Sequence, residues 1–188
     1  LPGGLMTNAP TVDKIWNRFI LFQDLGGPAM AYRPFLVADR PSQLRIIRGA
    51  MPDLSAAGLG IMTHANVSPN VAGFIRSFPS SDGFYDRHDA FEPDDQQHYV
   101  QPDGSLTPIG ERIRRETTII CDSGAFQKEG AAFNDYTALF AKYDDLNVDY
   151  GIINDVLNDP AATLSEAREA YQTYQAGAYD FELVGVAQ

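Results

Sequence analysis

The last third of the chain alternates strand-like and helix-like segments, and no other feature narrows the fold as much. Residues 117–121 (TTIIC), 150–153 (YGII) and 182–187 (ELVGVA) are short runs rich in apolar and β-branched residues, of a length that suits buried strands. Each gives way to polar residues: Asp122, Ser123 and Gly124 after the first, Asn154 and Asp155 after the second, Gln188 after the third. Between the first two runs, Tyr136, Leu139, Phe140 and Tyr143 recur at three- and four-residue spacing, which predicts a helix over about 134–143 with one apolar face. Between the second and third, Thr163 and Glu166 have the spacing of a capping box, in which hydroxyl and carboxylate satisfy each other's backbone amides. The helix it opens is predicted to end at Ala176, with Gly177 as a left-handed stop and Ala167, Ala170, Tyr171 and Tyr174 on its buried side. Strands alternating with helices predict βαβ units, a parallel sheet and an α/β fold. Ligands of such sheets bind at the carboxyl ends of the strands, where Asp122, Asp155 and Gln188 fall.

The preceding sequence is less regular. Residues 12–23 carry Ile15, Trp16, Phe19, Ile20 and Phe22 at helix-compatible spacing, and residues 24–28 (DLGGP) break the pattern. Residues 35–38 and 58–62 predict short strands, the second leading into Thr63, His64, Ala65 and Asn66. Helices are predicted over 41–49 and 67–76, the latter weakened by Pro69 and Gly73. Residues 77–111, rich in Ser, Asp, Gly, Pro and Tyr, read as a loop or insertion, the kind of long connection that a compact domain keeps for function. Inside it, residues 101–105 (QPDGS) predict a turn with a small hairpin around it. The chain reads as one domain over 1–188, its regular βαβαβ part lying at 117–188.

Composition removes several classes of function. With 44% hydrophobic and 21% charged residues, the chain has the means to build a core and is not a disordered segment. No apolar run reaches the length of a membrane span, so no membrane partner is expected. A lone cysteine excludes an internal disulfide and a cysteine-based metal cluster; with no signal-peptide pattern at the start, a cytoplasmic location is the default expectation. The net charge of −11 argues against this segment gripping nucleic acid alone, because phosphate contacts need a basic face. Acidic residues cluster at 82–95 and 144–159, and the one dense basic run, Arg112, Arg114 and Arg115, reads as a solvated face. His64, His88 and His98 lack metal-ligand spacing; His88 and His98 read as surface loop residues and His64 sits at a strand end. Cys121 reads as a packed small hydrophobe, and Trp16, Tyr171 and Tyr174 as core. Asp144, Asp145, Asp149, Asp155 and Asp159 do not follow the calcium-loop pattern.

The run Asp122-Ser123-Gly124-Ala125-Phe126-Gln127 places a carboxylate and a hydroxyl at a strand end, then a glycine where backbone can approach a ligand, then a flat ring. That set suits a nitrogen heterocycle, whose N–H groups the carboxylate accepts and whose face the ring stacks on. The plainer reading is an Asp capping a turn, followed by a core Phe.

These six residues resemble the Asp-Ser-Gly-Gly/Ser/Ala-Phe/Tyr-Gln signature of the tRNA-guanine transglycosylases. Asp155, Val156 and Leu157 resemble the second substrate-binding aspartate of that family, and residues 184–188 (VGVAQ) resemble its segment ending in a base-contacting Gln. Asp155, Val156, Asp159, Pro160 and Thr163 are also similar to the relatives that insert 7-deazaguanines into DNA. The resemblance covers residues 117–188, under half of the chain. It implies a (β/α)8 TIM-type barrel, of which this chain is expected to be a truncated amino-terminal portion with a long irregular insertion, since a closed barrel takes about 250 residues. It implies base exchange: an aspartate displaces guanine from the sugar, and the covalent glycosyl-enzyme is then attacked by a 7-deazaguanine. Asp122 would bind the base and act as general acid/base, with Ser123 supporting it, Phe126 stacking, and Gly124 and Gln127 completing the motif. Asp155 would accept from ring and amino N–H groups, and Gln188 would donate to the ring carbonyl. The expected partners are guanine or 7-deazaguanine, and tRNA or DNA. The family nucleophile lies beyond the match to Gln188, so the segment is expected to bind base without turning it over. The zinc site of the tRNA enzymes lies further on, so no cofactor is expected in this segment and zinc only in downstream sequence.

Two alternatives compete. A non-catalytic purine- or deazapurine-binding module would bind base without exchange. A metal-assisted TIM-barrel lyase or hydrolase would need further His or carboxylate ligands at strand ends and would lose activity to a chelator.

Overall fold

The computed structural model describes residues 34–51, 54, 58–80, 98–124, 133 and 135–186. In chain order the elements are β1 (Phe35–Val37), α1 (Pro41–Gly49), β2 (Gly60–His64), α2 (Pro69–Ser77), α3 (Pro108–Glu116), β3 (Ile119–Asp122), α4 (Tyr136–Leu146), β4 (Tyr150–Ile152), α5 (Pro160–Ala176) and β5 (Glu182–Val184). The strands form one sheet in the order β1-β2-β3-β4-β5, every neighbouring pair parallel. The α/β expectation is met. The helix expected over 12–23, Trp16, the acidic cluster at 82–95 and His88 lie outside the described residues.

Strand order that never reverses has a consequence. Crossovers between parallel strands share one hand, so successive helices land on the same side of the sheet. Accordingly α1 touches α2, α2 touches α4, and α4 touches α5. Between them and the sheet lies the core, with Ile61, Ile119 and Cys121 from the strands and Leu44, Ile47, Val71, Phe74, Leu139, Phe140 and Tyr143 from the helices. The other face carries the register partners Met62, Ile120 and Tyr150, then Ile152 and Val184, with His64 beside Asp122. Ile120 and Ile152 are buried but stand outside the helix-side core.

Local chemistry sets the helix ends. Pro41, Pro69, Pro108 and Pro160 each open a helix, at the position where a missing N–H costs nothing. Pro69 therefore starts α2 and does not weaken it. In α1, Gln43 Oε1 accepts from the Asp39 and Arg40 amides, both at 2.9 Å. Helix α3 lies partly inside the stretch read as irregular: Thr107 caps it, accepting from the Gly110 amide at 3.1 Å. Just before it, Val100 and Leu106 form an antiparallel bridge and Gly104 has φ +86, which is the small hairpin expected over 101–105.

Two details at α5 correct the sequence reading. The cap is Asp159, accepting from the Ala162 amide at 2.9 Å, one turn before the expected capping box. Thr163 Oγ1 instead accepts from the Val156 amide at 2.9 Å and donates to the Val156 carbonyl at 3.2 Å, while Glu166 accepts from Tyr136 Oη at 2.6 Å. An Asp followed by Pro at the first helical position outcompetes a Thr four residues later. Gly177 is not a left-handed stop; its backbone is extended (φ −101). It is required because a Cβ there would sit 2.3 Å from the Tyr179 ring. Tyr171 is also not core: it is 56% exposed, because the buried stripe runs through Thr163, Ala167, Ala170 and Tyr174. A residue next to Ala170 falls about 100° around the helix.

The acidic run at 144–159 is engaged in holding the fold. Asp149 Oδ2 accepts from the Ile119 amide at 2.7 Å and its carboxylate pairs with Arg114 at 3.1 Å, tying α3 to the amino ends of β3 and β4. Arg114 is thus half-buried and paired, whereas Arg112 and Arg115 are exposed as expected. Asp145 meets Arg76 and Lys142, each at 2.7 Å, and hydrogen bonds from Arg76 first and Lys142 second hold its carboxyl below the usual range. Asp144 accepts from the Asp180 amide at 3.1 Å.

Packing is tightest under β4. Phe140 has Tyr136, Tyr174, Tyr179 and Phe181 around it, ring centroids 5.2–6.0 Å away. Tyr143 Oη donates to the Ile152 carbonyl at 2.6 Å, and burial raises its phenol pKa. Gly151 makes this arrangement fit, since a Cβ would lie 2.3 Å from the Tyr143 ring and 2.9 Å from Phe181. Gly151→Ala is expected to destabilise the protein by about 1–3 kcal/mol, the cost of overpacking a filled core, read as a lower denaturation midpoint in urea at unchanged slope.

Candidate functional site

Parallel strands place their carboxyl ends along one edge, and here that edge is polar. Asp39 follows β1, His64 ends β2 with Asn66 two residues on, Asp122 ends β3 with Ser123 and Gly124 after it, and Asn154 and Asp155 follow β4. Backbone bonds carry the pairing past the strand ends and fix the edge. The Ala38 amide donates to the Met62 carbonyl at 2.7 Å, the Ala65 amide to the Asp122 carbonyl at 2.9 Å, and the Ile153 amide to the Val184 carbonyl at 3.1 Å. Thr63 Oγ1 adds a buried bond to the Ala38 carbonyl at 2.8 Å.

At β3 the sequence Asp-Ser-Gly makes a tight turn. Asp122 Oδ1 accepts from the Gly124 amide at 2.8 Å and from Ser123 Oγ at 3.5 Å. Oδ2 makes no hydrogen bond among the described residues. One oxygen therefore shapes the turn while the other is open to a donor, so turn-capping and ligand-binding readings of this Asp are compatible. Ser123 is 3% exposed, and Asp122 is half-buried. Gly124 has φ +74, a conformation that strains any L side chain. Asn66 Nδ2 donates to its carbonyl at 3.3 Å, which binds the turn to the loop after β2. A Cβ on Gly124 would stand 3.0 Å from Asn66 Nδ2 and 3.3 Å from His64 Nδ1.

Of the residues singled out from sequence, Asp122, Ser123 and Gly124 sit together at the end of β3, and Asp155 stands at the same edge beyond the adjacent strand β4. Phe126, Gln127 and Gln188 lie outside the described residues. Val156, Asp159, Pro160 and Thr163 have structural parts: Asp159 and Pro160 start α5, and Thr163 pins Val156, so together they hold the loop that carries Asp155. Cys121 is fully buried on the opposite face from Asp122; burial, then the Asp122 charge, raises its thiol pKa, which suits a packing role. His98 is exposed. No group of three or more His, Cys, Asp or Glu with metal-binding geometry occurs among the described residues, and no helix there is long and apolar enough to cross a membrane.

Asp39, His64, Asn66 and Asn154 are the edge residues that sequence reading left out or ranked low. The available signal was the one that found Asp122: a polar residue directly after a strand. Asn154 was overshadowed by its neighbour Asp155, and Asp39 by the short length of β1.

No family model, curated protein or solved structure matches the chain.

The Asn66–Gly124 contact carries a prediction. Gly124→Ala is expected to cost about 1–2 kcal/mol from the left-handed backbone, and more while Asn66 is present than in an Asn66→Ala background. A thermodynamic cycle over the two single variants and the double variant measures the difference.

Proposed function

We propose that the chain is the base-binding part of a base-exchange transglycosylase that replaces guanine in tRNA or DNA by a 7-deazaguanine. The observation that carries this reading is the placement of Asp122 and Asp155 at the same carboxyl edge of neighbouring parallel strands, with Asp122 held by its turn so that one carboxylate oxygen is open. The order of Asp122, Asp155 and Gln188 along the chain, and the place of Asp122 and Asp155 at the ends of successive strands, agree with the resemblance to tRNA-guanine transglycosylases.

A (β/α)8 barrel is the architecture we assign to this activity. Five parallel strands in unreversed order, helices in contact along one side, and an apolar second face of Met62, Ile120, Tyr150, Ile152 and Val184 all support it, because a barrel interior is filled by such residues. In this reading Asp155 accepts from the ring and amino N–H groups of the base. Asp122 Oδ2 accepts a further N–H and takes the proton that an incoming 7-deazaguanine loses as its nitrogen bonds to the sugar carbon. Ser123 supports Asp122, Phe126 stacks on the base, Gln127 completes the motif, and Gln188 donates to the ring carbonyl. The nucleophilic aspartate is not among these residues, whose assigned roles are binding the base and moving its proton.

Isothermal titration of the chain with 7-deazaguanine tests the reading. The wild type is expected to bind it and to reject 7-deazaadenine. Asp155→Ala is expected to weaken binding by about 10- to 100-fold, the loss of hydrogen bonds to a charged acceptor, with circular dichroism unchanged. Equal affinity for both bases, or unchanged binding by Asp155→Ala, would remove the proposal.

A further inference from the structure

Asn154 presents a buried polar atom with nothing to bind. Its Oδ1 is inaccessible to solvent and has no hydrogen-bond partner among the described residues, a costly condition that native proteins keep for few positions. The preceding Ile153 amide bonds to Val184. The Tyr136 phenol donates to Glu166 at 2.6 Å. Asn154 also stands where a ligand would be: directly after β4, next to Asp155, at the edge that carries Asp122. It follows Tyr150 and Ile152 at alternate positions, and those residues point to the face of Asp122, because Ile120 is the register partner of Tyr150.

We infer that Asn154 is a further specificity residue of this site, its Oδ1 accepting a hydrogen bond from the exocyclic amino group of the bound base. The inference rests on the function proposed above and adds to it. A base with two or three adjacent N–H donors needs several acceptors close together. A second carboxylate beside Asp155 would add like-charge repulsion, whereas an amide oxygen accepts without charge. A buried acceptor that is filled only by the correct ligand discriminates strongly, because an analogue lacking the donor leaves it unpaired. Asn154 thereby separates a 2-amino purine from the same ring without the amino group.

The test compares wild type with Asn154→Leu, an apolar residue of similar shape, against 7-deazaguanine and 7-deazahypoxanthine, which lacks the amino group. The wild type is expected to prefer 7-deazaguanine by roughly tenfold or more, and the variant to lose that preference by binding 7-deazaguanine more weakly while its affinity for 7-deazahypoxanthine holds. The melting temperature of the variant is expected to stay level or rise, since an unpaired buried acceptor has been removed. An unchanged preference overturns the inference and leaves the proposed function standing. A melting temperature several degrees lower identifies the amide as a structural group and also overturns it. Wild type binding neither base removes the proposed function, and the role of Asn154 falls with it.

Discussion

Parallel pairing of every strand is the constraint from which the remaining structure follows. A parallel pair cannot be closed by a tight turn; the chain must cross back over the sheet, and a helix is the economical way to do so. Because the crossovers share one hand and the strand order does not reverse, the helices line up on one face and the strand carboxyl ends on one edge. The opposite ends are held differently. There Asp149 joins the Ile119 amide to Arg114, so a single carboxylate sets the β3–β4 stagger and docks α3 below the sheet. Structure and site are thus divided between the two ends of the same strands.

The edge itself is built from groups that do two things at once. Asp122 stabilises its own turn with one oxygen and keeps the other open. Gly124 supplies the left-handed backbone that the turn needs and also the absence of a side chain between Asn66 and His64. Thr163, which looks like a helix cap in the sequence, and Asp159, which is the cap, hold the loop bearing Asp155 against the start of α5. The acidity of the chain has a similar explanation. Asp144, Asp145, Asp149 and Asp159 each accept hydrogen bonds that join separate elements or cap a helix. Their clustering serves the packing of α4 and α5 against β4.

Elements whose signals are local were legible. β1, α1 and the hairpin over 101–105 emerge where the apolar runs and turn residues placed them, and α4 is shifted along the chain, starting at Tyr136 after the Asp135 cap and ending at Leu146 before a left-handed Asn147. Helix α3 is hard to see because PIGERIRRE offers only Ile109 and Ile113 as large apolar residues, and its real signal is the Thr107–Pro108 start. Tyr171 fits a loosely drawn apolar face because it adjoins Ala170, but it stands about 100° around α5 from that residue and faces solvent. At the site, Asp122, Asn154 and Asp155 are all visible as polar residues after apolar runs, whereas nothing in the sequence says that Asn66 reaches the Gly124 carbonyl.

The sequence by itself determined the class of fold, the direction in which the strands run, and hence which ends gather the polar residues. These follow from periodicity and from residues acting on their immediate neighbours: prolines that open helices, a glycine that accepts positive φ, an aspartate that closes a two-residue turn. The tertiary structure alone decided which polar atoms are satisfied. That Arg114 meets Asp149, that Gly177 must yield to Tyr179, that Asn66 reaches Gly124 and that Asn154 Oδ1 is left without a partner depend on contacts between residues that are remote in the chain or set by the packing of whole elements. No local pattern encodes such contacts, because each depends on register and burial that exist only once the sheet has assembled.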